Sequence, residues 1–101
     1  MNHAQKDPGF SLRRDVLAIH VVKRLTIAQT EGHLLSLQDL ADELGVRKTD
    51  VRDIISVLHA QGYVDALRMR PTLAGFAIGS ATSDAELAPI RKAVRVALVA
   101  A

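Results

Sequence analysis

Between Arg47 and Ser56 the chain sets Arg47, Lys48, Thr49, Arg52, Asp53 and Ser56 among the apolar residues Val51, Ile54 and Ile55. Apolar residues at that spacing occupy one side of a helix, so Lys48, Thr49, Arg52, Asp53 and Ser56 project from the opposite side. A row of this kind can read base-pair edges. Arginine makes paired hydrogen bonds to the two acceptors of guanine, lysine does so more loosely, and aspartate accepts from the cytosine amino group. A good pair is worth roughly 1–3 kcal/mol of discrimination. Arg52 is the first candidate for base reading. Arg47, with Ser36 and Gln38 upstream, suits a second task, because hydroxyls, amides and helix N-termini hold phosphates and set register without reading sequence. The alternative for Arg52 and Asp53 is an ordinary solvated helix face. Beside a phosphate Asp53 is repulsive, so it either reads cytosine or holds an arginine in place.

Positioning those side chains requires two short helices and a corner, which the stretch from Ser36 to Gly62 supplies. Leu37, Leu40, Ala41 and Leu44 recur at helical spacing, as do Val51, Ile54, Ile55 and Leu58. Gly45 stands just past the first set, where a left-handed residue ends a helix, and Val46 can turn back into the shared core. Ser36 with Asp39 three residues on predicts a capped start, and Asp50 complements the dipole of the second helix.

Leu44-Gly45-Val46, the polar run Arg47-Lys48-Thr49-Asp50, then Val51, Ile54, Ile55, Leu58 and Gly62-Tyr63-Val64 resemble the winged helix-turn-helix of MarR-like and related bacterial transcription regulators. Thr72-Leu73-Ala74-Gly75 is similar to the threonine-to-glycine segment that opens the next helix in that superfamily. The resemblance covers His33 to Ile78. It implies a mainly α winged helix-turn-helix fold, a recognition helix over 48–61, double-stranded DNA as partner and a homodimer built through terminal helices. It also implies a wing over 63–71. The superfamily's wing is longer and more basic, whereas Arg68 and Arg70 are the only bases in this one.

The flanking segments are read from their own residues. Residues 1–10 show no periodicity and form a mobile arm. A helix over 11–31, capped by Ser11, carries apolar residues on two adjacent stripes and so must be buried on two sides. One side covers the helix-turn-helix, and the other faces a C-terminal helix or a second subunit. His33-Leu34-Leu35 is expected as a small strand beside the hairpin. Thr72 caps a helix through Phe76 and Ile78. Ser83, Asp84 and Glu86 again have capping spacing, and the regular helix is placed from Pro89 onward, with Leu87, Ile90, Val94, Ala97 and Leu98 on one face. Helices thus fill 72–101, and the expected dimer interface is Leu12, Val16, Ile19, Leu87, Ile90, Val94 and Leu98.

Composition narrows the function. With 101 residues, 49% of them hydrophobic, the chain fits one folded domain. Lysine and arginine number 13 against 11 acids, a net charge of +2. That permits a polyanion partner but attracts one weakly, which is a reason to expect a dimer with twice the footprint. There is no cysteine, so disulfides and thiolate metal sites are excluded. His3, His20, His33 and His59 lie at no ligand spacing, and no phosphate loop, nucleophile elbow or carboxylate pair stands out. The expectation is therefore a non-enzymatic protein with no cofactor and no metal. With no long apolar span, it is expected in the cytoplasm and away from membranes. The reading is a DNA-binding regulator, as a repressor on a palindromic site. Its rival is a winged-helix module that binds a protein partner and little or no DNA.

Overall fold

The computed structural model describes residues 10–82 and 87–93. In chain order they form β1 (Phe10–Leu12), α1 (Arg14–Glu31), α2 (Leu37–Leu44), α3 (Lys48–Ala60), β2 (Val64–Asp65), β3 (Arg70–Pro71), α4 (Leu73–Ala81) and β4 (Arg91–Ala93). The described chain is mainly helical. Its strands make two separate antiparallel pairs, β1 with β4 and β2 with β3.

Local chemistry accounts for the corner between α2 and α3. The Ser36 hydroxyl accepts from the Asp39 N–H at 3.0 Å, and the Asp39 carboxylate accepts from the Ser36 N–H at 3.0 Å, a complete capping box. Gly45, at φ 69°, ends α2, and the Val46 N–H then returns to the Ala41 carbonyl at 3.1 Å. At the start of α3 the Asp50 carboxylate accepts from the Arg47 N–H at 3.3 Å. Val51, Ile54, Ile55 and Leu58 of α3 and Leu40 and Ala41 of α2 are buried together against α1. Each large aliphatic side chain so buried contributes about 1.5–3 kcal/mol.

α1 lies at the centre of the molecule. It buries Leu17, Val21, Leu25 and Ala28 along one stripe and Val16, Val22 and Thr26 beside it, so it is covered on two sides as its composition predicts. The helix-turn-helix supplies one cover and α4 the other. α4 approaches closely because glycines face its neighbours. A Cβ on Gly79 would collide with the Thr26 hydroxyl and lie 2.6 Å from the Thr26 Cβ, and one on Gly75 would collide with the Tyr63 carbonyl oxygen. Arg24 of α1 and Glu43 of α2 add an exposed ion pair at 3.6 Å.

The hairpin is short. Val64 opposes Pro71 and Asp65 opposes Arg70, with Ala66 to Met69 turning between them and Met69 at φ 52°. Asp65 organises the turn by accepting from the N–H groups of Leu67 and Arg68 at 3.1 and 3.2 Å and from the Arg68 guanidinium at 2.9 Å. Thr72 joins hairpin to α4: its hydroxyl donates to the Gly62 carbonyl at 2.6 Å and accepts from the Gly75 N–H at 3.2 Å.

Four expectations are corrected. The helix expected from Pro89 is extended chain where it is described: Leu87 to Pro89 have no regular structure, and Arg91–Ala93 pair with Phe10–Leu12, Leu12 opposite Arg91. Pro89 forces extended backbone on the residue before it and donates no N–H, and the free edge of β1 offers the partner. The Ile90 carbonyl accepts from the Arg13 N–H at 2.7 Å, drawing the Ile90 side chain into the core. Second, Ser11 lies in β1 and does not cap α1, which starts at Arg14 after an extended Arg13 that makes no side-chain cap. Third, residue 10 is a strand residue; the remainder of the expected arm lies outside the described residues. Fourth, His33-Leu34-Leu35 is not a strand, and buries only Leu35 of the three. The capping residues Ser83, Asp84 and Glu86, and residues 94–101, lie outside the described residues.

Candidate nucleic-acid interface

Turning about 100° per residue, the arc of α3 directly opposite Val51, Ile54, Ile55 and Leu58 carries Thr49, Asp53, Ser56 and Ala60. Lys48, Arg52 and His59 form one flank of that arc and Val57 the other. All of these residues are exposed. The five side chains expected to project from this helix therefore do so, with Asp53 near the middle of the face and the two bases to one side.

The structure divides the remaining candidates by what already holds them. Lys48 and Arg52 have no carboxylate partner among the described residues. Arg47 extends its Nε to 3.4 Å from the Asp50 carboxylate, which is buried, while most of the arginine stays in water. The Ser36 hydroxyl is taken by its capping bond, and Gln38 donates to Asp42 at 2.9 Å. Arg68 is held by Asp65, and Arg70 borders a shallow hollow with Leu25, Gln29, Gly32, His33, Leu34 and Met69. Three carboxyls are drawn below the usual carboxylate range, Asp15 by its hydrogen bond from the Arg13 guanidinium. For Asp39 the leading cause is the Ser36 N–H, and for Asp65 it is the Arg68 guanidinium.

The residues expected at a dimer interface scatter. Val16 and Ile90 are buried in the chain's own core, at 7% and 9% exposure, where both belong to the cluster built around α1. They have little surface to offer a partner. Leu12 and Leu87 are half-buried, Ile19 is 41% exposed, and Val94 and Leu98 lie outside the described residues.

Three features went unread in the sequence. Leu67, at the hairpin tip, is 93% exposed where a basic residue would serve a nucleic acid. Val57 is exposed on the flank of α3 away from the bases. His59 places its ring Nδ1 3.1 Å from the Val64 carbonyl oxygen and 3.2 Å from the Ala66 nitrogen. Its position five residues before a predicted strand was the available signal.

No protein-family model, curated protein or solved structure matches the chain. No described helix is long and apolar enough to cross a membrane.

Proposed function

We infer that the chain is a sequence-specific binder of double-stranded DNA, a winged helix-turn-helix transcription regulator of the repressor type, with α3 as its recognition helix. The observation that carries this reading is the pair Lys48 and Arg52, both exposed and without carboxylate partners among the described residues, on the outer side of the second helix of a capped helix-turn-helix. Arg52 reads guanine, and Lys48 reads a base or holds a phosphate at the helix start. Thr49 and Ser56 add hydroxyl contacts, while Arg47 and the N-terminus of α2 face the backbone. Arg70 supplements them from the hairpin. A homodimer would set two such helices about 34 Å apart on a palindromic site. Within the described residues Ile19 is the exposed apolar residue on α1 that such a dimer could cover. Retention on random duplex that falls steeply with salt, together with selection of a palindrome from a random library, tests this function.

A second reading has its own support. Asp53 at the middle of the exposed arc, Leu67 at the hairpin tip and Arg68 engaged by Asp65 all suit a protein surface better than a phosphate backbone. In that case the same face binds a protein, and random duplex is not retained at low salt.

A further inference from the structure

The outward edge of β2 meets α3 at one ring nitrogen. The Thr72 N–H bonds the Tyr63 carbonyl at 3.0 Å, so by the alternation of an antiparallel ladder Val64 turns its carbonyl, and Ala66 its N–H, away from β3. His59 Nδ1 stands within hydrogen-bond distance of both, 3.1 Å from the Val64 oxygen and 3.2 Å from the Ala66 nitrogen. One nitrogen cannot serve both at once. Bare, it accepts from the Ala66 N–H; carrying a proton, it donates to the Val64 carbonyl and releases Ala66. The imidazolium carries protons on both nitrogens, so the charged ring has only the second arrangement.

We propose that His59 is a proton-operated tie between α3 and the hairpin. Protonation moves the tie from Ala66 to Val64 and adds a third cation to the row that Lys48 and Arg52 begin. Lys48, Arg52 and His59 fall within about 40° of one another around the helix axis, so the new charge lies in line with the bases. Ala66 opens the turn that displays Leu67 and Arg68, so releasing its N–H also loosens the hairpin tip. The charged groups facing His59 are Asp65 and Arg68, which line the same groove and pair with each other at 2.9 Å; Arg52 lies two turns back on its own helix. α4 brings Thr72 to this groove and carries no titratable residue.

For DNA affinity the inference rests on the proposed function; for the tie it does not. A histidine changes charge between about pH 5 and 8, and one added phosphate contact steepens the salt slope by about 0.9. At constant ionic strength the wild type should therefore bind a selected duplex roughly 3- to 8-fold more tightly at pH 5.5 than at pH 8, and His59→Gln should bind equally at both. In the free protein, NMR should show the Ala66 amide moving with the same midpoint as the His59 ring. An Ala66 amide that does not follow the His59 ring overturns the tie. Equal pH dependence in wild type and His59→Gln overturns the charge row. Absence of duplex binding at both pH values overturns the DNA reading, and the amide then decides the tie alone.

Discussion

Gly79 of α4 rests on Thr26 of α1, so close that the Thr26 Cβ would lie 2.6 Å from any Cβ placed on the glycine. The Thr26 hydroxyl is buried there without a hydrogen-bond partner among the described residues. α4 thus seats on α1 through an absent side chain. Gly79→Ala gains about 1 kcal/mol of helix preference but overpacks the contact by up to about 3 kcal/mol. A net loss of about 2 kcal/mol is expected in urea unfolding. Adding Thr26→Ala should restore part of it, a coupling that the double-mutant cycle reads directly.

Thr26→Val keeps the shape of the side chain and removes the unpartnered hydroxyl. Leaving such a group buried costs about 1–3 kcal/mol, so the variant should unfold at higher urea with an unchanged slope. A destabilised Thr26→Val would mean the hydroxyl has a partner.

The acid side of the stability curve should report Asp39 and Asp65. Both carboxyls are held below their ordinary value of 3.8, so their contribution is present above that pH and fades as pH falls through the folded-state values. Wild type should lose stability below about pH 4, and Asp39→Asn with Asp65→Asn should start less stable near neutrality and change less with acid. Chemical unfolding at a series of pH values checks this. Ser36→Ala, which removes the cap itself, should cost about 1 kcal/mol at pH 7.

Asp53 and Arg68 give opposite expectations for duplex binding. Asp53→Asn takes a negative charge from the middle of the presented face and should tighten random-duplex binding roughly three-fold or more at low salt. Arg68→Ala should change it by less than about two-fold, since the guanidinium is already engaged by Asp65. Fluorescence anisotropy with a labelled duplex measures both. A large loss from Arg68→Ala would mean that the arginine leaves Asp65 for a phosphate.

The helix-turn-helix was legible because its signals are local. Ser36 with Asp39, Gly45 past Leu44, and the apolar period of α3 each act within a few residues, so the outward set Lys48, Thr49, Arg52, Asp53 and Ser56 followed from spacing alone. What failed was non-local. β1 and β4 pair across nearly the whole chain, and neither Phe10–Leu12 nor Arg91–Ala93 carries a period that marks a strand. The helical pattern expected after Pro89 drew on Val94, Ala97 and Leu98, while Pro89 and the β1 edge govern the residues before them. Val16 and Ile90 read as interface because an apolar stripe does not say whether its cover comes from the same chain. The spacing of Gly75 and Gly79 did carry a local sign of close helix packing, left unread because glycine registers in no hydrophobic pattern.

The central claim is that Lys48 and Arg52 of α3 read duplex DNA. The direct measurement is binding of the wild type and of a folded Lys48→Ala, Arg52→Ala double variant to random and selected duplexes at two salt concentrations. The wild type should select a palindromic site and bind it with a steep salt dependence, and the double variant should lose that selection and flatten the slope. Equal binding by the two proteins, or no binding by either with circular dichroism showing both folded, contradicts the account and moves the function of this face to a protein partner.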